Sequence, residues 1–447
     1  MSRSMGLRAG TLVVAVAAAA MLVSAGSAFA KKGETLEVCK HGCNHRTIQD
    51  AVDDSGKKAT INVHPGTYRE GVVVRGHRHD RLTIKGTKKN AKKVLLQGKN
   101  ARVEGQPAQN GIEGDHVDGL RILNMTASNY AANGFHVHEC DGYLMKNLRA
   151  SFNRAYGLFA FDCVGGRMTK SVGFGQGDSA FYVGATPTQK NPEVTKLDHL
   201  DAHENVLGYS GTNSKYVKIT KSNYYNNGVG IVPNTLDSEP FEPSAASVIQ
   251  KNNIFWNNFN YFLPASRVQT VSNGLGTIPG TDLTVQFPTG VGVVLLGTDS
   301  WIVRNNNIFG NFKWGAAVLS DPFNEGDQAI SVNNQFIDNQ MGRQGTDTNA
   351  VDFFSQGSGS GNCFSGNVSS TFDPSSTMPD AQLYPGCPAP AGTGGNGNST
   401  GDDTQFGDLA GYVTSDPPQK QQCSWTVHDH PSFKKYRPLM VEGDPGC

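Results

Sequence analysis

The chain is 447 residues long, and 39 Lys and Arg balance 39 Asp and Glu, so its formal net charge is zero. Charged residues make up only 17%, while Gly occupies 53 positions and Asn is frequent; both tolerate the left-handed backbone of tight turns, so many short strands are expected. No arginine-rich arm or basic-aromatic module is present, which argues against a nucleic-acid partner.

In chain order, Arg3 and Arg8 precede the apolar run Thr11–Val23, and Ala28-Phe29-Ala30 has the small-x-small form of a cleavage site. Residues 1–30 therefore read as a secretory signal peptide. The run is short and Ala-rich for a membrane span, and no second one follows. The expectation is a soluble monomer, secreted to the extracellular space, with no membrane insertion after cleavage. A retained N-terminal anchor is the alternative.

Charge is uneven along the rest. Residues 31–110 hold 17 Lys and Arg against 8 Asp and Glu, and residues 111–447 hold 20 against 31. A basic end joined to an acidic body suits an anionic partner such as an acidic polysaccharide; a solvated basic cap is the plainer explanation. In CKHGCNH, Cys39, His41, Cys43 and His45 alternate, which admits a metal site, but in an exported chain a Cys39–Cys43 disulfide is the expectation.

From Asn133 a repeat is visible. NGFHVHECDG, YGLFAFDCVG and SAFYVGATPT begin 23 residues apart, and GIEGDHVDG lies one period upstream. The small residue recurs as Gly134, Gly157 and Ala180, then Gly208, Gly230, Gly292 and Gly315, each ahead of an alternating apolar stretch. KNNIFWNN, RNNNIFGN and VNNQFIDN form a second register, in which Asn252, Asn306 and Asn333 align and would stack as ladders in turns. A period of this length with alternation of two, and no sustained helical periodicity, means a stacked β solenoid. The segments 233–246 and about 264–289 interrupt it as surface loops. Residues 388–405 read as a flexible linker, and 406–447, with Trp425, His428 and His430, as a tail or cap.

RTIQDAVDDSGKKATINVHPGTYREGVVVRGHRHDRLTIKG, residues 46–86, resembles the opening of right-handed parallel β-helix proteins of the pectin-lyase-like superfamily: a short amphipathic helix, a strand, a Pro-Gly-Thr-Tyr turn and two strands. The resemblance covers roughly 36–370. It implies an all-β, right-handed parallel β-helix solenoid over 31–387, with an N-terminal capping helix at Thr47–Asp54 and an irregular C-terminal tail. That fold hosts lyases, hydrolases, esterases, epimerases and non-enzymes.

Strand alternation assigns faces. Phe135, Leu158 and Phe181 stack inward, as do Val137, Ala160 and Val183. Between them Glu113 and Asp115, His136 and His138, Phe159 and Phe161, and Tyr182 point outward, with adjacent coils about 4.8 Å apart. Acids and imidazoles then border three aromatics. Aromatic faces pack on sugar rings, while carboxylates and imidazoles handle hydroxyls and protons. The expected catalytic residues are His138, His136 and Asp115, with Asp115 beside His138. For elimination or C5-epimerisation of a uronate, His138 and His136 would divide proton abstraction and carboxylate neutralisation. Glu113, Phe159, Phe161 and Tyr182 are the expected substrate-binding residues.

Family signatures narrow this little. The Asn-Thr-Asp and Gly-His-Gly segments of polygalacturonases, the Gly-Arg-Pro-Trp segment of pectin methylesterases and the Trp-Ile-Asp-His segment of pectate lyases are absent. His136-Val137-His138-Glu139 resembles the Asp-Pro-His-Asp/Glu segment of alginate C5-epimerases only at His138 and Glu139. Cys140 and Cys163 share a register, so a disulfide is expected there, closing a 23-residue loop and contributing about 3 kcal/mol. Proximity suggests Cys363–Cys387 and Cys423–Cys447. No cofactor is predicted; Glu113, Asp115, His136 and His138 offer a mixed set for a divalent cation such as Ca²⁺, although a Ca²⁺-assisted lyase wants denser carboxylates. Two functions follow: a secreted polysaccharide lyase or C5-epimerase, or a non-catalytic glycan-binding or cell-surface scaffold.

Overall fold

The computed structural model describes residues 33–259, 289–311, 313–321, 330–342, 349, 351–355, 359–369 and 385–390. Among them, three long sheets of 12, 11 and 10 strands run side by side, and a complete coil of the chain gives one strand to each. Every ladder within these three sheets is parallel, and most pair strands from successive coils. The chain is a right-handed parallel β-helix. Its interior is a continuous apolar core, from Val38 and Ile61 at one end to Phe336 and Phe353 at the other. No helix of the described residues is long and apolar enough to cross a membrane.

The expected columns form. Phe135 pairs with Leu158 and Leu158 with Phe181, while Val137, Ala160 and Val183 stack alongside, all buried. Small residues recur because neighbouring coils crowd there. A Cβ on Gly157 would sit 2.4 Å from the Ala180 carbonyl oxygen, and one on Gly230 2.4 Å from that of Gly292. Ala180 is tolerated in the column because the residue it faces, Gly173, has no side chain; a Cβ there would lie 2.6 Å from that of Ala180.

Polar turns are held by buried amide ladders. In one, the Nδ2 of Asn252 donates to Oδ1 of Asn306, Asn306 to Asn339 and Asn339 to Asn367, at 3.0, 3.0 and 2.9 Å. A parallel ladder runs Asn205, Asn227, Asn257, Asn311, Asn349. The expected alignment of Asn306 with Asn333 is off by six positions. Val303 pairs with Phe336, so this coil is longer than the motif suggested, and Asn339 takes the ladder position. The core requirement to place Phe336 under Val303 overrides the surface similarity of the Asn runs.

The helix Ile48–Asp53 closes the N-terminal end, with Thr47 as its N-cap and Asp54 as its C-cap. Ile48, Ala51 and Val52 are buried against the core. The buried Glu70 carboxylate accepts the backbone N–H groups of Ile48 and Gln49 at 3.0 Å. The Gln49 amide in turn accepts from Val73 N at 2.7 Å and donates to Val73 O at 3.1 Å. Val73 lies on the terminal strand of the ten-stranded sheet, so a side chain satisfies an edge that would otherwise be open to pairing.

Three disulfides, Cys39–Cys43, Cys140–Cys163 and Cys363–Cys387, join Cα atoms 5.6, 4.6 and 5.1 Å apart. The Cys423–Cys447 pairing, the signal segment 1–30, the tail 406–447 and most of the 264–289 loop lie outside the described residues.

Candidate functional site

The chemistry concentrates on the N-terminal coils of the ten-stranded sheet. Here strands Ile112–Asp115, Phe135–Asp141 and Leu158–Val164 pair so that Asp115, His138 and Phe161 form one column and Glu113, His136, Phe159 and Tyr182 another. A third column arises because the strands bend. His116, Glu139 and Asp162, each 23 residues from the next, adopt left-handed φ of 54°, 46° and 51°. The bend breaks the alternation: Val137 and Cys140 both point inward, so His138 and Glu139 both point out. The same happens at Asp115–His116 and Phe161–Asp162. Two outward columns thus lie side by side.

Two imidazoles are clamped between two carboxylates in this corner. Oδ1 of Asp115 accepts Nδ1–H of His116 at 2.8 Å and lies 3.4 Å from Nδ1 of His138. On the other side, Nε2 of His138 is 3.5 Å from Oε1 of Glu139, and Nε2 of His116 contacts Oε2 of the same carboxylate. The rings meet edge to face, 6.3 Å between centroids. Burial pulls the Asp115 carboxyl upward, but the bonds and charges of His116 and His138 outweigh it and hold it below the usual range. Bonding to Asp115, and the nearby charge of Glu139, hold His116 protonated above its ordinary pKa. Asp162 is pushed up, first by burial and then by the charge of Glu139.

Next to this corner the surface is aromatic. His136 stacks on Phe159 at 4.4 Å and His138 tilts over Phe161 at 5.8 Å. Tyr156, from the preceding turn, packs 4.7 Å from Phe159 and 4.6 Å from Tyr182. Phe159 and Phe161 are half-buried.

Three expectations need correcting. Tyr182 is not an open binding surface: it is 2% exposed, and its hydroxyl meets Oε2 of Glu239 at 3.1 Å. Glu239 belongs to the loop after Asn234, which the Asn213 amide holds by donating to the carbonyls of Leu236, Glu239 and Pro240. His136 is not a cation at neutral pH. Both its ring nitrogens are out of solvent and without a partner, and burial, with His138 nearby, pushes its pKa down to about 4. Glu113 accepts from Asn110 at 2.7 Å rather than joining the imidazole corner, so the set Glu113, Asp115, His136 and His138 does not converge as one ligand cluster.

The residues that sequence reasoning missed are His116, Asp162 and the half-buried Asp178. Burial, then the charge of Glu239, raises Asp178 to about 7, while Tyr156 bonds it. A signal for the first two existed. Gly114 and Val117, Val137 and Cys140, and Ala160 and Cys163 are small or apolar pairs three apart, a spacing that strict alternation cannot bury on one face.

No protein-family model matches the sequence, and no curated protein does. Among solved structures, the A-module of mannuronan C-5 epimerase AlgE4 from Azotobacter vinelandii is similar at 14% identity and a TM-score of 0.46, over 73% of this chain and 93% of that one. Pectate lyase Pel9A is similar at 12% identity and 0.38, over 82% and 83%. An alginate lyase from Paenibacillus sp. is similar at 13% and 0.36, over 75% and 95%. At such identities and TM-scores the likeness bears on fold alone, and the parallel β-helix of this chain stands on its own strand ladders.

Proposed function

We propose that this face binds a polysaccharide outside the cytosol and that its imidazole–carboxylate corner acts on the chain by proton transfer. The observation that carries the reading is one of adjacency: His138, held by Asp115, tilts over Phe161, and the stacked Phe159 lies beside it on the same sheet. A half-buried aromatic surface packs on the C–H faces of sugar rings, and an imidazole can both accept and donate a proton. His138 is the candidate base or acid, Asp115 orients it, and Phe159 and Phe161 support the sugar. His116 takes the charge-neutralising role that His136, uncharged in its apolar niche, does not fill. Three disulfides fit an oxidising compartment.

Purified protein, incubated with neutral and uronate polysaccharides, tests this. Unsaturated ends are followed by absorbance and C5 inversion by NMR. Turnover that His138→Ala abolishes, while Phe159→Ala mainly weakens binding, supports the reading; no binding to any polymer refutes it. A second reading, a non-catalytic glycan scaffold, is favoured by the closure of the corner, where both nitrogens of each imidazole already face carboxylates. Binding without turnover, unaffected by His138→Ala, supports that one.

A further inference from the structure

We propose that His138, Glu139 and Asp162, with His116 as a fourth donor, form a binding site for one divalent transition-metal ion of the zinc class. One donor atom from each of His138, Glu139 and Asp162 lies within 4.8 Å of the others. Nε2 of His116, outside that group, contacts the other oxygen of Glu139. The donors come from three successive coils, and the bend column delivers His116, Glu139 and Asp162 one coil apart.

The imidazoles make this more than a group of acids. A carboxylate oxygen only accepts, so Asp115 selects the Nδ1–H tautomer in both rings. Nε2 of each ring then faces the Glu139 carboxylate. Such a contact is held by positive charge, either a proton on Nε2 or a metal ion that displaces it. Among the described residues no Lys or Arg supplies that charge: Arg75, paired in register with Asp115, is turned to Glu104 at 2.8 Å. The other convergent group, His77, Asp80 and Asp118, differs in this respect, since Lys57 already bonds Asp80 at 2.9 Å.

Donor type selects the ion. Two imidazoles and two carboxylates suit zinc-class ions, whereas Ca²⁺ takes six to eight oxygens. A carboxylate holding the far nitrogen of each ligating imidazole, as Asp115 does, is the usual outer support of such sites. In a tetrahedral site with bonds near 2.1 Å the donors are roughly 3.4 Å apart, so the group closes modestly on binding. The half-buried to exposed side chains leave a route of entry.

This inference does not depend on the carbohydrate reading. Where both hold, His138 would serve as a ligand in the loaded protein and as base or acid only in the ion-free one.

Tag-free protein, stripped with EDTA and dialysed, is titrated with Zn²⁺ by calorimetry and with Co²⁺ by visible absorption. One ion per chain is expected. His116→Ala and Glu139→Gln should each weaken Zn²⁺ binding by more than about tenfold, and Asp115→Asn by about 10- to 100-fold at unchanged stoichiometry. His77→Ala should leave binding unchanged. Circular dichroism of the metal-free variants confirms that each is folded. No saturable binding, equal binding by wild type and Glu139→Gln, or loss only in His77→Ala overturns the proposal. Polysaccharide turnover by the stripped protein, without ion binding, sinks the metal site and keeps the carbohydrate reading. Ion binding without turnover does the reverse.

Discussion

Replacing Asn306 by Ala tests whether the buried amide ladder, rather than the apolar core alone, sets the stability of the middle coils. Asn306 is 1% exposed. Its Oδ1 accepts both the backbone N–H and the Nδ2–H of Asn252, each at 3.0 Å, and its Nδ2 donates to Ile249 O and Asn339 Oδ1, each at 3.0 Å. Truncation leaves two donors on the buried Asn252 without this acceptor, at a cost of roughly 1–3 kcal/mol each. A loss of about 2–6 kcal/mol follows. The neighbouring Asn307 is the control. It is exposed and donates to Asn253 at 2.9 Å, a bond that water replaces, so Asn307→Ala should cost under about 1 kcal/mol. Urea titration followed by circular dichroism measures the midpoints, which remain comparable even where a solenoid departs from two-state unfolding. If Asn306→Ala and Asn307→Ala shift the midpoint equally, the ladder is not what holds these turns.

Two further outcomes are expected. His203, stacked between Phe174 and Tyr225 at 5.1 and 5.3 Å, is held near pKa 4 by burial and then by Arg149, against 6.5 in the unfolded chain. Between those values the unfolded chain binds more protons, so stability is full above pH 6.5 and falls by on the order of 3 kcal/mol as pH drops to 4. Melting temperatures across that window should fall less steeply in His203→Phe than in wild type, since His136 and His79, also held near 4, still contribute; an unchanged slope in the variant contradicts this assignment. Glu70→Ala removes the acceptor for Ile48 and Gln49 N–H and should cost about 1–2 kcal/mol. Hydrogen exchange at those two amides should accelerate selectively, and protection equal to wild type would show that the carboxylate is not their cap.

Much of the architecture is legible in the sequence, for a local reason. The small residues at Gly134, Gly157 and Ala180 are required by backbone crowding between coils, so they recur at the coil length. The Cys140–Cys163 pair follows from the same register. Where coil length changes, local similarity misleads, as at Asn333. The site is less legible because two of its determinants are not local. Tyr182 is covered by a loop residue 57 positions away. The bend at Glu139 breaks the two-residue period, so strict alternation does not place His116 and Asp162 beside Asp115 and His138.

The stacking of coils also confines the reach of any lesion. A wall residue such as Phe135 pairs only with Ile112 on one side and Leu158 on the other. The molecule therefore resembles a zip more than a knot: damage at one tooth is felt by its neighbours and fades beyond them. A cut or destabilised turn midway should yield two stretches that melt at separate temperatures, with the imidazole corner surviving in the half that keeps the N-terminal plug.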